Sequence, residues 1–265
     1  MMERVRKGQQ DEPRQTDAIM APIASNSSLL EITALAPETS RSQHTTAPKS
    51  RAVIAYDCMR GLILTNKWAP GFQITEQEAA TLLEMSRTPV REAMLQLQQE
   101  GLAAVKPRHG LKVLPISPED MSEIYVILTS LESTAAELAA GRRLEDADLQ
   151  PMVNASEEMV AALKANDLDQ WAEADARFHL ALLDLADNKK LTAIVLNFMD
   201  RVHRARRLTL HLRPTPHAST DEHQALVDAI RSGDAVAAGK IHRAHRERAK
   251  QEMLAILKRL GLHQV

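Results

Sequence analysis

The run Ser86-Arg87-Thr88-Pro89-Val90-Arg91-Glu92-Ala93 decides how the first half of this chain folds. Pro89 suits the first turn of a helix, where a missing N–H costs nothing, so a helix opens at Thr88. Val90, Ala93, Met94 and Leu97 recur at helical spacing as a buried stripe, and Gly101 fits the C-terminal stop. Arg87 and Arg91 stand four apart and project from one side of the helix N-terminus. Ser86, Thr88 and the free amides there suit phosphate oxygens, while arginine can pair its hydrogen bonds with guanine in the major groove. A recognition helix reads base edges with its N-terminal residues, which is where these arginines lie.

The surroundings complete a reading domain. Upstream, Thr75 with Glu78 three residues on is a capping box, opening a helix through Ala79, Ala80, Leu82 and Leu83. From Arg51, the residues Val53, Ile54, Met59, Leu62 and Ile63 share a helical face, and this helix stops before Ala69-Pro70-Gly71. Cys58 falls in that pattern and reads as a small buried side chain. Downstream the period changes: Leu102 to Val105 and Leu111 to Leu114 are strand-like around Lys106-Pro107-Arg108-His109-Gly110, a hairpin with a basic tip. Three helices and a hairpin over 49–115 make a winged helix-turn-helix, with the wing able to meet phosphate or the minor groove.

Composition sets the frame. A chain of 265 residues has room for about two domains. Hydrophobic residues are 44% but aromatics only 3%, which favours packed helices over a sheet sandwich. The net charge of −2 excludes a whole-chain attraction to nucleic acid, so DNA binding rests on the local basic patch. One cysteine excludes an internal disulfide framework. No run approaches the ~18 apolar residues of a membrane span, and Arg4, Arg6 and Lys7 are not followed by an apolar stretch, so a cytoplasmic protein without membrane contact is expected. Residues 1–48 are polar and aperiodic and read as a disordered tail.

Beyond Ser117-Pro118 everything reads as helix, at about 118–140, 145–165, 167–186, 189–211, 219–232 and 234–260, an all-α bundle over 117–262. Asp175 and His179 lie one helical turn apart, and two further helices can bring His223 and His245 to meet them. One Asp and three His suit a divalent transition ion, Zn or else Ni or Mn, with positions left for water or a ligand. An Asp-x3-His pair is also a common surface pair, and ten His give chance arrangements, so spacing alone leaves both readings open.

The first half resembles the GntR family of transcriptional regulators. The matching residues are Pro70-Gly71, Thr75-Glu76, Ser86 through Ala93, Leu97, Glu100-Gly101-Leu102, Pro107 and Gly110. The second half is similar to the FCD ligand-binding domain of the FadR subgroup at Leu131-Glu132, Ala139-Ala140, Asp175, Phe178-His179, Asn188, Glu222-His223, Leu226, Ala229-Ile230, Gly233-Asp234 and His245. The resemblance implies a homodimer on a palindromic double-stranded operator, touched by Arg87, Thr88 and Arg91, with His109 and Gly110 at the wing tip. Gln77 stands where some members carry a DNA-contacting arginine. It also implies a metal held by Asp175, His179, His223 and His245, with a small-molecule effector, an organic acid, completing the coordination. His242 then either supports the ligands from behind or faces solvent.

Leu128 departs from the pattern: many FCD members have a carboxylate-pairing arginine there. Arg201 or Arg204 on the neighbouring helix could serve as effector anchors instead, or be simply solvated. The expected behaviour is repression modulated by ligand. Two rivals stay open. A metal-dependent hydrolase would need a general base beside the metal-bound water, and Glu222 points about 100° away from His223. Alternatively the bundle only dimerises, with a structural metal or none.

Overall fold

The computed structural model describes residues 49–142 and 144–261. The reading of 1–48 as a disordered tail, and residue 262 at the expected end of the bundle, lie outside them.

Helix α1 (Arg51–Leu64) is capped by Ser50, whose hydroxyl accepts from the Val53 amide. It ends earlier than Ala69, because Asn66 turns into the left-handed region (φ 56°) and Thr65 bonds back to the Gly61 carbonyl. Val53 is correspondingly off the buried face, 41% exposed. Helix α2 (Glu76–Leu82) carries the full capping box: Glu78 N–H donates to Thr75 Oγ1, and the Thr75 amide donates to Glu78. Helix α3 (Arg87–Gln99) starts one residue before Thr88, with Ser86 as N-cap.

The hairpin is β2 (Ala103–Lys106) and β3 (Gly110–Val113), and a third short strand, β1 (Gln73–Ile74), pairs with β3. The strand order is β1-β3-β2, all antiparallel, with Ile74 opposite Leu111 and Val105 opposite Leu111 from the other side. Two residues are too few to show a period, so sequence reading passes over β1. Gly110 explains the close fit: it sits at φ 73°, and a Cβ there would stand 2.2 Å from the Ile74 carbonyl oxygen. Met59, Ile63, Trp68, Leu83, Val90, Met94, Leu97, Leu102 and Leu111 close one core, and Cys58 lies fully buried in it.

A second core begins at Ile116. Helices α4 (Pro118–Gly141), α5 (Asp146–Lys164), α6 (Leu168–Ala186), α7 (Lys189–Thr209), α8 (His217–Arg231) and α9 (Ala235–Arg259) surround it. A 3-10 turn, Leu210–Leu212, follows α7 before the Arg213–Pro216 break. Caps set the boundaries: Asp167, Asn188 and Asp234 each accept from an amide three residues on. The longest seam runs between α4 and α9, with α6 laid beside α4 and α5. No helix among the described residues is long and apolar enough to cross a membrane.

Helix α7 joins the two cores. Asp200 forms a two-point salt bridge with Arg60 of α1, and both side chains are largely buried. Arg204 donates to the Leu114 carbonyl at 2.7 Å, fixing the link between domains, and Arg201 donates to Asp120 at 3.1 Å.

Candidate metal centre and DNA-reading face

Asp175 and His179 project from α6, His223 from α8 and His245 from α9. Their donor atoms lie within 4.8 Å of one another, all buried. Asp175 Oδ1 is 3.7 Å from His179 Nε2 and 3.6 Å from His223 Nε2. Asp175 Oδ1, both His223 nitrogens and His245 Nε2 are buried without a hydrogen-bond partner. Orphaned buried donors and acceptors cost free energy, and so many converging at one point match the coordination sphere of an ion. The residues therefore fit a divalent metal.

The other ring nitrogens are held from behind. Glu132 of α4 lies 3.2 Å from His179 Nδ1 and 3.2 Å from His242 Nε2, and accepts from Arg246 Nε at 3.0 Å. Glu222 lies 2.8 Å from His245 Nδ1 and is itself gripped by Arg248. Such outer partners fix the tautomer and leave Nε2 free to bind an ion. His242 is fully buried and does not face solvent; it lies behind the cluster against Glu132. Glu222 turns away from the donor cluster to hold His245, as its helical phase requires.

The protonation states suit metal ligation. Burial alone would raise the Asp175 carboxyl, but Arg206, then His179 and His223, outweigh it and hold it well below the usual range. Glu132 is lowered in the same way, burial being overcome by Arg246. Burial pushes His223 and His245 well below the ordinary imidazole value and His242 down to about 4, so these rings are neutral at pH 7.

The arginine expected at the site is neither Arg201 nor Arg204. Both belong to the face of α7 turned toward the winged domain. Arg201 pairs with Asp120 and packs on Gly101, and Arg204 is buried at the Leu114 carbonyl, where burial lowers its guanidinium to about 10. Arg206, on the other face, donates to Asp175 Oδ2 at 2.5 Å. Four arginines between 201 and 207 gave no sign of which one faced inward, because that depends on how α7 is rotated against the bundle. Leu128 is fully buried in the apolar core and contributes no charge.

On the reading face, Ser86, Arg87, Thr88, Arg91 and Gln77 are all exposed, and Ser86 spends no hydroxyl on a cap bond. Glu76 pairs with Arg87 at 3.1 Å and with Arg91 at 3.5 Å, holding both on one side. Lys106, Arg108 and His109 are exposed at the wing, which the His109 amide closes onto the Lys106 carbonyl. Gln98 of α3 ties down this wing, its Oε1 accepting from the Val105 amide at 2.8 Å. Gly110, expected at the wing tip, is instead buried against β1, where it lets the strands approach and shapes the wing.

Comparison with known proteins agrees with both halves. Residues 52–113 match "Bacterial regulatory proteins, gntR family", and residues 123–248 match the FCD domain. An uncharacterized HTH-type transcriptional regulator of Agrobacterium vitis, in the TAR-I ttuE-ttuC' intergenic region, is 44% identical over 141 residues, covering 51% of this chain and 81% of the relative. The chain belongs to the GntR family. The HTH-type transcriptional repressor RspR of Escherichia coli is 30% identical over 171 residues, covering 63% of this chain and 74% of RspR. In fold, E. coli McbR/YncC aligns over 81% of this chain and 100% of that one with a TM-score of 0.66 at 21% identity. This GntR protein is thus a DNA-binding transcriptional regulator with an FCD ligand-binding domain, and its family is one of regulators, not enzymes.

Proposed function

We propose that this GntR regulator is a homodimeric repressor of a palindromic operator, modulated by a small organic acid at a zinc-type centre held by Asp175, His179, His223 and His245. An ion there would act as a Lewis acid that draws in an anionic ligand. The observation that carries the reading is the course of α7. Asp200 grips α1, on which the reading helix α3 packs, and less than two turns later Arg206 grips Asp175. A rearrangement at the donor cluster that shifts α7 therefore reaches the reader through a buried salt bridge, whose partners are costly to separate.

Operator fragments selected from genomic DNA and followed by fluorescence anisotropy test this. Zinc with a panel of small organic acids is expected to change affinity about 5- to 150-fold, the usual span of allosteric coupling. The same additions should do little in Asp200→Asn. An operator affinity that no acid alters in zinc-loaded protein would leave the bundle as a dimerisation unit.

A further inference from the structure

Exposed apolar residues gather where the two cores meet. A cleft of about 730 Å³ runs between α3 and α7, with Leu95 and Phe198 as its apolar lining and Glu92, Glu100, Asn197 and Arg201 around them. Arg201 lies over the Phe198 ring at 5.2 Å, so the two share one wall. Leu95, and Ile194 one turn before Phe198 on α7, are 44% and 45% exposed. Val53 is exposed on α1, one turn before Tyr56, whose hydroxyl donates to Glu100 at the cleft. Apolar side chains from three helices around one hollow mark a docking surface, unlike the singly scattered exposed residues that any protein carries. The donor cluster draws on none of them.

Its occupant has to be small. A few side chains offer far less than the about 800 Å² per partner that a stable interface between two copies buries. A tethered segment needs no such area, because a short linker raises its local concentration to about millimolar. This chain carries one. Residues 1–48 precede the described part, and within them Ser28-Leu29-Leu30-Glu31-Ile32-Thr33-Ala34-Leu35-Ala36 has capping-box spacing, Ser28 with Glu31, and a stop at Pro37. Leu29, Ile32 and Ala36 stand at i, i+3 and i+7, the anchor pattern of a helix laid in a groove, with Glu31 on the opposite side. The other apolar stretch, Ala18 to Ala24, is broken by Pro22. Residues 37–49 reach at most about 45 Å, and Ser50 lies only about 9 Å along α1 from Tyr56.

We propose that residues 29–36 fold back as a short helix into the cleft of their own chain, setting Leu29 and Ile32 against Leu95, Ile194 and Phe198. Held there, the segment fastens the reading helix α3 to α7 and stiffens the junction that Arg60 and Asp200 span. This docking is independent of any metal.

Amide hydrogen exchange of the full chain, compared with a synthetic peptide of residues 25–40, tests this. Residues 29–36 should exchange about ten-fold or more slowly in the protein than in the peptide. Leu95→Asp, at an exposed position outside both cores, should return them to the peptide's rate. Exchange at the peptide's rate in wild type overturns the proposal, as does slow exchange that survives Leu95→Asp, which would put the segment elsewhere. Disulfide formation then separates the chain's own segment from a second copy's; Cys58 is fully buried and needs no replacement. Ile32→Cys/Leu95→Cys should oxidise within one chain, and faster than Ile32→Cys/Leu138→Cys, whose second position is exposed on α4. A bond between two chains, or equal rates for the two pairs, overturns it.

Discussion

The winged domain and the bundle solve opposite problems with the same residue type. On the reading face, Arg87 and Arg91 are 64% and 68% exposed, and one surface glutamate holds both. In the bundle, Arg206 and Arg246 are almost wholly enclosed, and each is matched to a carboxylate that also faces histidines. Exposed ion pairs are worth little in isolation, about 0–1 kcal/mol, so the reading arginines can leave Glu76 for DNA at small cost. Buried pairs are expensive to break, so the bundle's arginines are held to their carboxylates far more firmly. One set of arginines is free to rearrange; the other is locked in place.

The sharpest way to break this contrast is to empty the reading face. Arg87→Ala/Arg91→Ala removes two base-reading contacts of about 1–3 kcal/mol each, so operator affinity should fall roughly 30- to 10⁴-fold with little change in thermal stability. Anisotropy beside a melting curve checks both. Equal losses on operator and scrambled DNA would mean that the arginines touch only phosphate.

On the buried side, Glu222→Gln should weaken zinc binding roughly 10- to 100-fold, the usual effect of an outer partner, and His223→Ala should weaken it further. Competition with a chromogenic chelator reads both. If Glu222→Gln binds zinc like wild type, its grip on His245 is only structural.

These two regions also differ in how far the sequence disclosed them. Helix starts were legible because Thr75–Glu78, Ser117-Pro118 and Asn188 are local chemistry, decided within one turn. Exposure at Arg87 and Arg91 follows from the stripe Val90, Ala93, Met94 and Leu97 on the other side of the same helix. The set Asp175, His179, His223 and His245 is named by the family resemblance, because ten His leave spacing alone undecided, and the structure brings the four donors together. Which arginine faced that set was not legible, since it depends on the rotation of α7 against α4 and α6, a tertiary quantity that no local pattern encodes. Strand β1 was missed for the same reason: two residues make a strand only because Gly110 lets β3 approach.

That close approach can be tested. Gly110→Ala adds a side chain at positive φ and drives it into the Ile74 backbone, so the winged domain should lose roughly 2–4 kcal/mol. Urea unfolding followed by Trp68 and Trp171 fluorescence would show an early transition; unaltered unfolding would mean that β1 moves aside freely.

Acid should act on the bundle, with a definite sign. In metal-free protein His223, His242 and His245 are held neutral by burial, His242 down to about 4, whereas the unfolded chain protonates them near 6.5. Lowered native values mean the unfolded state takes up more protons as the pH falls. Stability is therefore lost from about pH 6.5 down toward 4, at up to about 1.4 kcal/mol per pH unit for each ring. Urea midpoints between pH 7.5 and 5 check this, and a flat profile would show that the rings gain protons in the native state too.

The smallest expected effect lies at the hinge of the comparison, in Glu76. Its carboxylate positions Arg87 and Arg91 and also cancels part of their charge, so Glu76→Gln has two opposed consequences. Losing a negative charge beside the phosphates should strengthen binding to any DNA and steepen its dependence on salt. Losing the clamp lets two long side chains wander, which costs ordering entropy on the operator alone. The ratio of operator to scrambled-sequence affinity should therefore drop a few-fold while scrambled binding rises. Anisotropy at two salt concentrations on both DNAs separates these contributions. A ratio that stays at the wild-type value, with only the general rise, would show that Glu76 screens the arginines without aiming them.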